Sequence, residues 1–189
     1  MTDKPGLADI EEILESVKKT KSGIVNPLMS STGVIGVRLP KEKIIAGAEK
    51  FDLGVKNPHA AAEAIMTTDR FSKEIAVDVE LEDGKVFTIG AMAKGAGMIN
   101  PAMATMLCYI TTDAQISYIK MQEILERVNA KTFNAASVDG DTSTNDTVFL
   151  MANSRAVCYD EEAFEELCIA FHSVAGAAGN LSALMLSLM

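Results

Sequence analysis

The residues best suited to chemistry lie between Lys94 and an apolar run that begins at Thr105. Lys94 opens the glycine-rich segment 95–97, and Asn-Pro at 100–101 forces a second turn before small residues lead to Thr105. Glycine and proline mark loops, whereas the β-branched and aromatic residues after Thr105 favour a strand. The pattern predicts that Thr105 lies where a loop enters a strand.

A threonine hydroxyl is a weak nucleophile unless a base takes its proton. An N-terminal threonine can use its own α-amine, whose ordinary pKa is about 8. Such a terminus arises inside a chain if Oγ of Thr105 attacks the carbonyl of Ala104, the acyl group moves to oxygen, and water hydrolyses the ester. Small residues at Ala102 and Ala104 leave room for this attack. The segment by itself also fits an ordinary turn before a buried strand.

Four segments together resemble the ornithine acetyltransferase (glutamate N-acetyltransferase, ArgJ) family. The first, Lys-Gly-Ala-Gly-Met-Ile followed by Pro and Met-Ala-Thr-Met-Leu, resembles that family's self-cleavage site. The others agree in order and spacing. They are Ser-Ser-Thr-Gly-Val-Ile-Gly at 30–36 with Leu-Pro at 39–40, Ile-Met-Thr-Thr-Asp at 65–69, and Val-Asp-Gly-Asp-Thr-Ser-Thr-Asn-Asp at 138–146.

The resemblance implies an α/β fold, a layered sandwich of sheets and helices. It also implies an enzyme of arginine biosynthesis that cleaves itself between Ala104 and Thr105. In that family the threonine accepts acetyl from N-acetylornithine and passes it to glutamate, and the two cleavage products form a hetero-oligomer. Some members use acetyl-CoA as the acetyl donor, and no other cofactor is implied. The segment 95–97 does not match a dinucleotide-binding fingerprint, because Asn100 replaces the third glycine.

The resemblance also assigns roles to individual residues. Thr32 and Gly33 correspond to the family's oxyanion hole, where donors stabilise the developing negative charge. Thr68 and Lys94 correspond to substrate-binding residues, together with the nucleophile Thr105. An ammonium group beside a substrate carboxylate would make a charge-assisted contact. No metal site is expected.

Family members are considerably longer and carry a Gly-Glu-Gly substrate motif that this sequence lacks. We therefore expect residues 1–166 to form a partial ornithine acetyltransferase-like domain, incomplete at both ends. Residues 167–189 form a divergent, charge-free apolar tail, which glycines and serines dilute, so a buried or frayed helix is expected rather than a membrane span. The main alternative function is an inactive fragment or interaction subunit that retains part of the fold.

A further alternative comes from the acidic segment 139–146. It imitates the Asp-x-Asp-x-Thr signature of phosphatases, with Asp139 as the nucleophile and Asp141 as the acid. Only a short, mostly apolar sequence follows. That remainder is too short to supply the other phosphate and magnesium ligands, which disfavours a phosphatase.

Composition narrows the class of protein. The sequence is 48% hydrophobic and 23% charged, which indicates a globular protein, and its net charge of -9 argues against a nucleic-acid partner. Cys108, Cys158 and Cys168 are odd in number and lack metal-ligand spacing, so they are expected to be reduced thiols of a cytoplasmic protein. The acidic N-terminal segment does not resemble a signal peptide.

Hydrophobic periodicity and turn residues predict the elements that position these groups. The clearest signal is the Asp-Gly turn at 83–84 between two alternating apolar runs. The predicted helices cover 7–17, 114–129 and 144–152, and two more begin at Pro40 and Pro58; the predicted strands cover 24–29, 75–81, 86–89, 105–112 and 133–138.

Overall fold

A computed structural model describes residues 3–96, 106–135, 141 and 143–157. The chain divides between Asn57 and Pro58 into two compact units. The helices are α1 (Asp3–Thr20), α2 (Lys41–Lys50), α3 (Pro58–Ala64) and α4 (Tyr118–Lys131), the strands are β1 (Lys73–Glu80), β2 (Val86–Lys94), β3 (Leu107–Ala114) and β4 (Thr147–Ala156), and a 3₁₀ turn covers Phe133–Ala135.

The first unit pairs α1 with α2 through charged side chains. Asp9 of α1 is buried, and it accepts a hydrogen bond of 2.7 Å from Nε of Arg38. Nζ of Lys41, at the start of α2, donates to Glu12 of α1 at 2.7 Å. Pro40 lies at the N-cap position directly before α2, in agreement with the predicted helix start. The predicted opening helix is also confirmed.

The second unit is built on a mixed four-stranded sheet in the order β1-β2-β3-β4. The first three strands are antiparallel neighbours, and β4 runs parallel to β3. The predicted hairpin is confirmed, since Leu81 N–H donates to the Lys85 carbonyl at 2.8 Å and Gly84 adopts a φ of +78°. That φ suits glycine, which lacks the Cβ that would clash there. The crossover from β3 to β4 contains α4, as a parallel pair requires.

The core of the second unit lies between one face of the sheet and α4. Alternate residues of β2 and β3 point to this face, because side chains alternate along a strand. Helix α4 covers them with Ile124 and Val128, whereas Ile119 of the same helix is exposed. The sheet residues of this core include Phe87, Ile89, Ala91, Ala93, Cys108, Ile110 and Ala114.

Three predicted elements are wrong where the structure describes them. Residues 24–29 are not a strand, and Val25 and Leu28 are exposed, because no strand of the described sheet pairs with this segment. Phe133–Ala135 is a 3₁₀ turn after α4 instead of the start of a strand. The predicted helix over 144–152 is wrong, because residues 147–152 belong to strand β4, where β-branched and aromatic residues pair with β3.

The α/β class is confirmed at this level, whereas the layered sandwich expected from the family resemblance stays a prediction. Among the helices in the described ranges, none is both long and apolar enough to span a bilayer. The apolar tail at 167–189 lies outside the described residues.

Candidate active site

Lys94, a predicted substrate-binding residue, is the last residue of β2 and is only 1% exposed. Its Nζ donates to Oγ1 of Thr67 at 3.4 Å. Thr67 precedes Thr68, the other predicted substrate residue, which is exposed. The structure thus brings Lys94 next to the Thr-Thr pair, where it contacts Thr67, a residue that the sequence analysis did not select.

The charge of Lys94 is set by opposing effects. Burial lowers the pKa of its ammonium group below the ordinary value, because the charged form loses hydration. The carboxylates of Asp69 and Asp146 act in the opposite direction, and the positive charge of Lys73 adds to the lowering. Lys94 is therefore a buried cation with two anionic neighbours, and another carboxylate would find an electrostatic partner there.

Asp69 connects the segments on either side of this cation. Its Oδ1 accepts a hydrogen bond of 2.8 Å from Gly95 N–H, and its Oδ2 accepts one of 3.2 Å from Thr67 N–H. Burial by itself would raise the pKa of Asp69, but hydrogen bonds from Lys73, Gly95 and Thr67 outweigh it and hold the pKa below its ordinary value. Through these hydrogen bonds, the ionised carboxylate of Asp69 connects the Thr67–Thr68 segment to the end of β2.

Lys73 is the buried partner of Asp69. It occupies the same face of β1 as Ile75, Val77 and Val79, where the sequence pattern calls for an apolar residue. Its Nζ bonds to Asp69 Oδ1 and lies 5.6 Å from the centre of the Phe71 ring. The signal that sequence reasoning missed was a lysine in register with an apolar face, four residues after an aspartate.

Asp146 fixes the residue that follows Thr105. Its Oδ1 accepts a hydrogen bond of 2.8 Å from Met106 N–H, and Thr147 N–H donates to the Met106 carbonyl at 3.0 Å. Burial raises the pKa of Asp146 to about 6, against the opposing effects of Met106 N–H, the Ser143 hydroxyl and the charge of Lys94. Asp146 belongs to the sequence motif at 138–146, but the motif by itself does not indicate a role for it.

The other predicted site residues fall into two groups. Thr32 is half-buried and Gly33 is exposed, both in the loop between α1 and α2 of the first unit. No atom lies within 4 Å of the position that a Cβ on Gly33 would occupy. Thr105 and Ala104 lie outside the described residues, so their predicted roles in catalysis and cleavage stay predictions.

The remaining alternatives also depend on residues that the structure describes only in part. Asp139 lies outside the described residues, and Asp141 is exposed. A phosphatase nucleophile at Asp139 would follow a strand, but residues 133–135 form a 3₁₀ turn. Within residues 3–96, 106–135, 141 and 143–157, the structure contains no group of three or more His, Cys, Asp or Glu side chains that could hold a metal ion.

The second unit thus combines a mixed α/β fold with a buried lysine at the end of a strand, directly before a glycine-rich segment. The chain belongs to the ArgJ family, whose sequence pattern matches residues 1–181.

Individual relatives carry the same family name. The arginine biosynthesis bifunctional protein ArgJ of Wolinella succinogenes is 60% identical over 164 residues, which make up 87% of this chain and 41% of the relative. The protein of that name from Dehalococcoides mccartyi is 48% identical over 159 residues, 82% of this chain and 38% of the relative. The chain therefore spans less than half the length of these curated relatives.

A solved structure, the PH0078 protein from Pyrococcus horikoshii OT3, is 18% identical and matches 61% of this chain and 38% of its own, with a TM-score of 0.36. A likeness at this level carries no argument about function.

Proposed function

We propose that this chain forms part of an acetyltransferase of arginine biosynthesis, which moves acetyl from N-acetylornithine to glutamate through an acetyl ester on Thr105. The observation that carries the proposal is the buried Lys94 ammonium at the end of β2. It lies beside Thr67 and directly before the segment that leads to Thr105. Membership of the ArgJ family supports the same reaction.

The proposed chemistry begins with self-cleavage. Oγ of Thr105 attacks the carbonyl carbon of Ala104, the peptide C–N bond breaks, and the amide nitrogen takes up a proton. Water then hydrolyses the ester, leaving a carboxylate on Ala104 and a free amine and hydroxyl on Thr105. The new α-amine serves as the base for the hydroxyl in the transfer reaction.

In the transfer reaction, Oγ of Thr105 attacks the acetyl carbonyl of N-acetylornithine, and ornithine leaves after its nitrogen is protonated. The amine of glutamate then attacks the acetyl ester, which regenerates the hydroxyl. The Thr32 hydroxyl and Gly33 N–H would stabilise each oxyanion. Lys94 would bind a substrate carboxylate, next to Thr68. Acetyl-CoA is an alternative acetyl donor, and no bound cofactor is required.

Intact mass of the purified chain tests the first step. We expect two fragments, residues 1–104 and 105–189, which remain associated as a hetero-oligomer. Thr105→Ala should abolish the cleavage, because it removes the attacking oxygen. Thr111→Ala is a matched control, since Thr111 is an exposed threonine of β3 whose hydroxyl donates to the Gly90 carbonyl at 3.3 Å. Equal cleavage of Thr105→Ala at the same bond would identify an external protease and refute the mechanism.

Transfer between two amines requires both substrates in attack geometry, and poor positioning costs orders of magnitude in rate. Because the chain spans less than half of its relatives, we expect the 189 residues alone to transfer acetyl far more slowly than an ordinary enzyme rate of about 10 per second. Adding the remaining segments of a full-length relative should restore transfer. An ordinary rate from the isolated chain would show that it already contains a complete substrate site.

A further inference from the structure

Asp146 contacts the residue next to the proposed nucleophile but takes no part in the proposed acetyl transfer. Its Oδ1 holds the N–H of Met106, the residue bonded directly to Thr105. Its Oδ2 is buried and has no hydrogen-bond partner among the described residues. Asp146 therefore has one oxygen bound to the Met106 N–H, and its other oxygen is buried.

We propose that Asp146 is a positioning residue for self-cleavage, because its carboxylate holds the backbone N–H of Met106, the residue bonded to Thr105. This inference rests on the proposed function. The peptide unit is planar and rigid, so holding its N–H restricts the orientation of the whole plane. The Met106 carbonyl is held by Thr147 N–H at 3.0 Å, which fixes the other side of the same residue.

A restricted backbone orientation at Met106 matters because Oγ of Thr105 can attack the preceding carbonyl only within a narrow range of distances and angles. Small displacements slow such reactions strongly. An ionised carboxylate holds an N–H more firmly than a neutral carboxyl group does. The rate of cleavage should therefore rise as Asp146 loses its proton, which occurs near pH 6. Before cleavage the Thr105 nitrogen is an amide, so its later ionisation does not contribute to this pH dependence.

The charged group that acts on Asp146 among the described residues is Lys94 of β2, whose positive charge favours the ionised carboxylate. Lys94 in turn faces Asp69 and Lys73, which form an ion pair with each other. The Ser143 hydroxyl and Met106 N–H also favour the ionised form. Asp146 is thus the group in this set whose proton is expected to leave near pH 6.

The competing explanation is that the hydrogen bond between Asp146 and Met106 N–H only stabilises the fold. Three variants distinguish this explanation from a role in cleavage. Asp146→Asn keeps an oxygen acceptor but cannot ionise, and Asp146→Ala removes the acceptor. Asp113→Asn is the matched control, because Asp113 of β3 also accepts a backbone N–H, from Thr88 at 2.7 Å. Cleavage of each full-length chain is followed by intact mass from about pH 5 to about pH 7.5, and thermal unfolding confirms that each variant is folded.

For the unmodified chain and Asp113→Asn, we expect the cleavage rate to rise about fivefold or more through pH 6. Asp146→Asn should cleave at a rate that does not change across this range, close to the slow rate of the unmodified chain at low pH. Asp146→Ala should be slower still, by about tenfold relative to the unmodified chain at neutral pH. Partial rescue by asparagine would support positioning through the hydrogen bond.

A second measurement does not depend on cleavage. In a Thr105→Ala background, the NMR amide shift of Met106 should change with a midpoint near pH 6, and Asp146→Asn should remove that change while Asp113→Asn retains it. An amide shift independent of Asp146 would overturn the inference, as would cleavage that neither Asp146 variant alters. If the unmodified chain is not cleaved at all, the proposed self-cleavage is refuted, whereas the Met106 amide shift still decides whether the Asp146 carboxylate holds this N–H.

Discussion

The carboxylate of Asp69 is paired with the ammonium of Lys73 at a site where neither side chain is exposed to solvent. The same carboxylate accepts hydrogen bonds from the N–H groups of Thr67 and Gly95. One buried ion pair therefore supports both the Thr67–Thr68 turn and the end of β2 that carries Lys94.

Asp69→Asn should lower the free energy of unfolding by about 3 kcal/mol, because it leaves a buried lysine without its counter-charge. The control is Asp83→Asn. Asp83 forms an ion pair with Lys85 and accepts the backbone N–H of the same residue at 3.0 Å. The side chains of both residues are about half exposed. Urea denaturation should show a much smaller change for the control. Equal effects of the two variants would contradict the structural importance of the buried pair.

Lys94→Met should raise the pKa of Asp146 further above about 6, because the positive charge of Lys94 favours the ionised carboxylate. The midpoint of the Met106 amide shift, measured in the Thr105→Ala background, reports this change. Lys120→Met is the control, since Lys120 lies on α4 and pairs with Glu123 on the exposed surface of that helix. A midpoint that Lys94→Met leaves unchanged would show that the two groups do not interact.

Cys108 should resist alkylation in the folded protein. It is fully buried, and burial raises the pKa of its thiol to about 12, so the reactive thiolate is scarce near pH 8. Iodoacetamide labelling followed by peptide mapping should modify the Cys108 peptide in concentrated urea and not in native buffer. Rapid native labelling would mean that β3 opens readily or is packed differently.

Asp9 should stabilise the first unit near neutral pH. The Arg38 hydrogen bond holds the pKa of Asp9 below its ordinary value of 3.8. A lowered pKa contributes stability that is present above the ordinary value and is lost as the pH falls through the folded value. Asp9→Asn should therefore lower the unfolding temperature at neutral pH, with a smaller difference near pH 3.

Asp52→Asn is the matched control for Asp9, because Asp52 is exposed and accepts the N–H of Gly54 at 2.8 Å within its own loop. Thermal unfolding followed by circular dichroism compares the three proteins. If Asp9→Asn and Asp52→Asn behave alike at both pH values, then the Asp9 ion pair contributes no measurable stability.

The elements with strong local signals were predicted from the sequence. The opening helix, the helix starts at Pro40 and Pro58, and the Asp-Gly hairpin follow from periodicity, proline geometry and turn chemistry, which act over a few residues. The family could also be recognised, because four colinear motifs carry it, and its sequence pattern matches residues 1–181.

Elements that depend on distant partners could not be predicted in this way. Strand β4 was predicted as a helix, because an apolar segment takes the strand conformation only where another strand, here β3, offers a parallel ladder. The segment 24–29 has strand-forming residues but no pairing strand in the described sheet, and it stays irregular.

The candidate site shows the same division. The sequence by itself selected Lys94 and Thr68 as candidate substrate-binding residues through the family resemblance, and these roles stay predictions. Only the tertiary structure revealed that Lys94 is buried beside Thr67, and that Asp69 and Asp146 are its anionic neighbours. The physical reason is that burial and electrostatic coupling depend on distances between residues far apart in the chain, which local sequence patterns do not encode.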